Sequence, residues 1–247
     1  MNEFINLNFE DGVARIGVMR PQKKNALTQA MYAALADALD AAESDASINA
    51  ILLHGTDEVF SAGNDMQDFL TNFSLDESAP VVRFLHTLAA AAKPVVAAVN
   101  GAAIGIGTTM LLHCDLVYCG ENARFQLPFV NLGVVPEAGS SYLLTAMLGQ
   151  RHAAELLLLG DRFDAASALR FGIVNGVFPD GESFAHALRA AVQLASKPPQ
   201  AVRATKMLMK SHNREAVRQA MQVEATYFVE RLQSPEAQAI IAAFGRK

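Results

Sequence analysis

Residues 93–119 read KPVVAAVNGAAIGIGTTMLLHCDLVYC, and the fold turns on them. Lys93-Pro94 ends whatever helix precedes it, because a residue before proline is pushed out of the helical region. Pro94 to Asn100 is uniformly apolar up to the asparagine and short, the pattern of a strand buried on both faces. Gly101 closes it. GAAIGIG, residues 101–107, reads as a glycine-rich turn, and TTMLLHC, residues 108–114, as a short helix. Asp115 to Cys119 is a second strand. Strands separated by helices mean β-α-β units and a largely parallel sheet.

The pattern extends both ways. Residues 4–18 predict a hairpin, with apolar residues roughly alternating on both sides of the turn dipeptide Asp11-Gly12. Thr28 is placed to cap a helix running to about residue 43, with Met31, Leu35, Leu39 and Ala42 on one face. Residues 50–54 form a strand, and residues 80–92 a helix. Beyond residue 138 helices dominate, over 138–148, 151–159, 164–172 and 183–195, with a short strand at 175–178. Three more helices fill 199–244, after Lys197-Pro198-Pro199. This divides the chain into an α/β core, residues 1–197, and a helical C-terminal region, residues 198–247.

Composition limits the function. Of 247 residues, 51% are hydrophobic and 18% charged, which suits a packed globular chain and not a disordered one. A net charge of −5 argues against a general nucleic-acid binder. No apolar run reaches membrane-spanning length. The N-terminus, MNEFINLNFEDG, does not look like a signal peptide, and the terminal FGRK is not a peroxisomal address. The expectation is a cytoplasmic protein. Cys114 and Cys119 lack CxxC spacing and read as reduced core thiols, and no metal site is expected.

GAAIGIGTTM is not a nucleotide motif: Gly105-Ile106-Gly107 is followed by Thr108-Thr109-Met110, not by the rest of a GxGxxG or GK[ST] pattern. What remains is a strand, a tight turn, and a helix start whose free N–H groups favour negative charge. FSAGND, residues 60–65, repeats that grammar. Taken alone it is an ordinary capped turn. Two such turns in one core can converge their N–H groups on a single oxygen. Glu137, in LPFVNLGVVPEAGSS at residues 127–141, is a lone carboxylate among apolar and small residues, where burial is costly without compensation.

Six segments stand in order: RPQKKNAL (20–27), FSAGND (60–65), KPVVAAVNGAAIGIG (93–107), CDLVYCGENARFQLPF (114–129), LGVVPEAGSS (132–141) and KPPQAVRATK (197–206). With them the chain resembles the crotonase, or enoyl-CoA hydratase/isomerase, superfamily over nearly its full length. The resemblance implies an α/β fold with a ββα spiral core, and a helical C-terminal region used to form trimers or hexamers. It implies an acyl-CoA thioester as substrate, with no permanently bound cofactor. The carbonyl oxygen would be held by the backbone N–H groups of Asn64 and Ile106. Lys23, Lys24, Ser61, Ala62, Gly63 and Asp65 would neighbour the coenzyme A, and Lys247 its phosphates. Gly105 and Gly107 would shape the second turn.

Hydratases of this superfamily use two glutamates, which on this chain would fall at positions 109 and 129. The residues there are Thr109 and Phe129. Glu137 matches instead the base of the peroxisomal-type 3-enoyl-CoA to 2-enoyl-CoA isomerases, with Phe129, Val130 and Leu132 as an apolar wall. The expectation is a double-bond shift with Glu137 as proton shuttle. The alternatives are a 2-enoyl-CoA hydratase with displaced groups, other thioester chemistry on the same turns, and a non-catalytic acyl-CoA binder.

Overall fold

The computed structural model describes residues 2–68 and 78–244. The chain opens with the hairpin of β1 (Ile5–Glu10) and β2 (Val13–Val18), followed by α1 (Gln29–Ser44). Thr28 caps α1: its hydroxyl accepts the Met31 N–H at 3.3 Å. Then come β3 (Ala50–His54), β4 (Val59–Ser61), α2 (Pro80–Ala90), β5 (Val95–Val99) and β6 (Ala102–Ile104). The short α3 (Ile106–Thr109) continues as a 3₁₀ turn, Met110–His113. After β7 (Leu116–Gly120) and β8 (Arg124–Gln126) the chain becomes mostly helical: α4 (Ser140–Leu148) and α5 (Gln150–Ala154), with a π turn at Glu155–Leu159. Next are β9 (Arg162–Asp164), α6 (Ala165–Arg170), β10 (Gly176–Phe178) and α7 (Ser183–Ala195). The C-terminal helices are α8 (Pro199–Ser211), α9 (Arg214–Leu232) and α10 (Pro235–Phe244).

The strands divide between two sheets. The larger has the order β1-β2-β3-β5-β7-β10, parallel except for the first hairpin. The smaller has the order β4-β6-β8-β9, parallel until its last pair. Successive turns of the chain lay one strand in each sheet, β3 then β4, β5 then β6, β7 then β8. This is the ββα spiral. It corrects the sequence reading at three points. Residues 102–104, taken as part of a turn, are β6. Strands β8 and β9 were not foreseen. The helix expected at 108–114 starts two residues earlier, at Ile106, and tightens to 3₁₀ at Met110.

Alternation along the large sheet sends side chains to two cores. Ala14, Ile16, Ile51, Leu53, Val95, Ala97 and Val99 belong to the main core with α1 and α2. Val13, Ala50, Leu52, Val96 and Ala98 pack against Ala187 and Ala191 of α7. Both faces of β5 are therefore covered, as its unbroken apolar sequence requires. The C-terminal helices also engage this body. Lys206 of α8 is buried, donates to the Lys93 carbonyl at 2.7 Å and pairs with Asp115 at 2.7 Å.

Candidate functional site

Strands β4 and β6 are parallel neighbours, and each breaks off into a turn at its C-terminal end. Adjacent strands lie only about 4.8 Å apart, so the two turns must touch. Glycine permits it. A Cβ on Gly63, which has φ +90°, would stand 2.8 Å from the Ile104 carbonyl oxygen. One on Gly107 would stand 2.8 Å from the Ser61 carbonyl oxygen. Ile106 opens α3, where an N–H has no acceptor within the helix. Among the described residues the Asn64 N–H has no acceptor either. The two backbone donors singled out in the sequence thus stand on touching turns.

The RPQKKNAL loop is stitched to the first turn. Asn25, fully buried, donates through its amide to the Val59 and Phe60 carbonyls and accepts the Arg20 N–H. The Ala62 N–H donates to the Lys24 carbonyl, and the Leu27 N–H to that of Gly63. Lys23, Lys24, Ser61, Ala62, Gly63 and Asp65 are therefore brought together, with both lysines exposed. The Ser61 hydroxyl points inward, donating to the Asn25 carbonyl and accepting the Gly63 N–H. Asp65 pairs with Arg20 at 2.7 Å and accepts the N–H groups of Gln67 and Asp68. These two side chains hold the turn in shape. Lys247 lies outside the described residues.

Glu137 sits in the loop before α4, just ahead of Ala138 and Gly139, both in the left-handed region at φ +61° and +71°. Its carboxyl accepts the Thr109 hydroxyl. The residue is half-buried, with its carboxyl packed round by protein. Burial pushes its pKa up to about 8; the Thr109 hydrogen bond opposes the rise and the charge of Glu224 adds to it. A carboxyl in this state exchanges protons near neutrality. Phe129 is buried and Leu132 half-buried, but Val130 is 38% exposed and does not complete the expected apolar wall.

Three partners were not legible in the sequence. Thr109 was read only as the residue replacing a glutamate; it is the donor that holds Glu137. Tyr32 of α1, fully buried, donates its hydroxyl to the Asn64 side-chain oxygen at 2.5 Å. Burial first, then the charges of Glu137 and Asp68, keep Tyr32 protonated and so a donor. Glu224 of α9 accepts the Gly139 N–H at 2.6 Å and the Ser141 N–H at 2.9 Å. The apolar face of α1 read in the sequence, Met31, Leu35, Leu39 and Ala42, did not include Tyr32, and no local signal points it to Asn64.

A spiral of ββα turns with two touching glycine turns and one buried carboxyl beside them is a crotonase-type architecture. The chain belongs to the enoyl-CoA hydratase/isomerase family, whose pattern it matches over residues 8–247. It is 34% identical to enoyl-CoA delta isomerase 2 of Rattus norvegicus over 95% of this chain, and spans 61% of that protein's length. It is 32% identical to the 2,3-dehydroadipyl-CoA hydratase of Escherichia coli (strain K12), over all of this chain and 97% of that one. Pseudomonas aeruginosa OdaA, a solved structure, superposes with a TM-score of 0.97 at 44% identity over the whole of both chains. An isomerase and a hydratase thus stand at nearly equal distance. The choice between them falls to the site residues.

Proposed function

We propose that the chain isomerises 3-enoyl-CoA thioesters to 2-enoyl-CoA, with Glu137 as the proton carrier. One observation supports this reading above the others. The positions where the family's hydratases carry glutamates hold Thr109 and Phe129, and the one carboxyl bound to Thr109 is Glu137, its pKa raised to about 8. Hydration needs one group to activate water and another to manage the α-proton; isomerisation needs a single group used twice.

The reaction runs as follows. The thioester carbonyl accepts hydrogen bonds from the Asn64 and Ile106 N–H groups. Glu137 takes the proton from C2, and the electron pair delocalises over C4, C2 and the carbonyl oxygen as a dienolate. The two N–H groups stabilise that oxygen; losing one such donor typically costs about 3 kcal/mol in the transition state. Glu137 then returns the proton to C4, and the double bond lies between C2 and C3. Tyr32 fixes the Asn64 side chain throughout. Lys23 and Lys24, exposed beside the first turn, suit the coenzyme A phosphates. Met207, Leu208, Met209, Val223 and Tyr227, apolar and exposed on α8 and α9, suit subunit contacts in a trimer or hexamer.

The test is an assay of the purified protein on 3-hexenoyl-CoA and on crotonyl-CoA. Rapid appearance of the 2-enoyl product with negligible hydration is expected, and Glu137→Gln should lower turnover about 10³-fold. Fast hydration of crotonyl-CoA that survives Glu137→Gln would overturn both the activity and the base.

A further inference from the structure

The Ala138–Gly139 peptide unit, one residue beyond Glu137, is held at both ends by buried ionisable side chains. The Ala138 carbonyl accepts the His113 Nε2–H at 2.8 Å. The Gly139 N–H donates to Glu224 Oε2 at 2.6 Å. The other carboxylate oxygen of Glu224 accepts the Ser141 N–H at 2.9 Å and the Ser141 hydroxyl at 2.5 Å. His113 comes from the 3₁₀ turn after α3, and Glu224 from α9, so two distant parts of the chain meet on one peptide.

That peptide needs holding. Ala138 has φ +61°, a left-handed conformation that costs a residue with a Cβ roughly 1–2 kcal/mol. Strain of this kind persists only where the surroundings enforce it. Glu224 is only 6% exposed, and among the described residues it has no cationic partner. Its three donors are two backbone N–H groups and a hydroxyl, all at the start of α4, where the helix dipole also favours a negative charge. Burial raises its pKa, and those three hydrogen bonds oppose the rise. His113, by contrast, is kept neutral. Burial is the main cause, with the Lys210 charge adding to it against the Ala138 bond, and its pKa falls to about 4. It serves as a fixed donor.

We propose that Glu224 is a positioning residue for Glu137, pinning Gly139 and Ser141 so that the left-handed Ala138–Gly139 turn presents the Glu137 carboxyl in one orientation. His113 pins the opposite end of the same peptide. The inference rests on Glu137 being the base. The titratable groups that face Glu137 are Tyr32 from α1 and Glu224 from α9, while Lys210 and His86 act on His113.

The experiment uses the full chain, 3-hexenoyl-CoA, and the variants Glu224→Gln, Ser141→Ala and Glu137→Gln, each checked by thermal melting. For folded Glu224→Gln, kcat on the alkaline plateau, where Glu137 is ionised in both proteins, should fall about tenfold with KM nearly unchanged, the signature of a lost transition-state arrangement. The acid limb of its pH–rate profile should also move to lower pH, because a negative charge facing Glu137 has gone. Ser141→Ala removes a single hydroxyl donor and should lower kcat about threefold, again without a change in KM. A folded Glu224→Gln with wild-type kcat on the alkaline plateau, or with kcat and KM impaired together and the acid limb unmoved, overturns the proposal. If Glu224→Gln does not fold, wild-type kcat in Ser141→Ala overturns it. Turnover that survives Glu137→Gln removes the base itself, and this inference with it. A dead Glu137→Gln beside an unaltered Glu224→Gln removes this inference alone.

Discussion

Asp65 and Glu137 are two acids on turns that lead into helices, and their surroundings drive them in opposite directions. Burial pulls both pKa values upward. At Asp65 the Arg20 hydrogen bond and charge, with the N–H groups of Asp68 and Gln67, outweigh burial and hold the carboxyl below its usual range. At Glu137 one hydroxyl faces the full effect of burial, helped by a second acid, and the pKa climbs to about 8. The first acid is fixed in its ionised form and shapes a turn. The second is free to gain and lose a proton. Environments that separate the pKa values of neighbouring acids are how one fold assigns structural and chemical roles to the same functional group.

The comparison breaks most sharply if Asp65 loses its partner. Arg20→Met should leave a partly buried carboxylate without its cation and destabilise the chain by about 2 kcal/mol, roughly thirtyfold in the folding equilibrium, measured by urea denaturation at pH 7. The linkage has a definite sign. The Asp65 pKa is lowered by folding, so its contribution is present above the usual carboxylate value and is lost as pH falls through the lowered one. The Arg20→Met deficit should therefore shrink in acid. A deficit independent of pH would mean that the guanidinium acts by packing alone.

The next effect is about tenfold and belongs to Glu137. A base with a pKa near 8 is only about one-tenth ionised at pH 7. Turnover of the wild-type chain should rise with pH through this region and level off above it. A profile flat from pH 6 to 9 would show that Glu137 is ionised throughout and that its setting resembles that of Asp65 after all. The smallest change tests the one hydroxyl that bonds the Glu137 carboxyl. Thr109→Val removes the hydrogen bond that lowers the Glu137 pKa, so the acid limb should move to higher pH and turnover at pH 7 should drop several-fold, on the order of a single hydrogen bond of about 1 kcal/mol. A limb that stays in place would assign Thr109 to packing only.

The same contrast explains what could be read in the sequence. Strands of the large sheet run to five or six residues in most cases and announce themselves by alternation or by unbroken apolar runs, as in AILLH and VVAAV. Strands of the small sheet have three residues each, too few for any period to show, and three of the four went unseen. Yet the two turns of the site hang on that small sheet. The turns themselves were legible because glycines and helix starts are local features, while the choice of Asn64 and Ile106 within them rests on the family resemblance. The partners that tune the site were not. Tyr32 is 32 residues from Asn64, Thr109 is 28 from Glu137, and Glu224 is 85 from Gly139. Each is an unremarkable residue until the fold delivers it.

The distance between Gly139 and Glu224 bears also on how the molecule comes into being. A ribosome adds roughly 5–20 residues per second, and a chain folds progressively as it emerges. The strand pairs of the ββα coils can form while synthesis continues, although one face of the large sheet stays open until α7 has emerged. The loop carrying Glu137 cannot reach its final shape until α9 has been made and has packed back. The two glycine turns can therefore take shape before the loop of Glu137, which is completed only when synthesis is nearly finished.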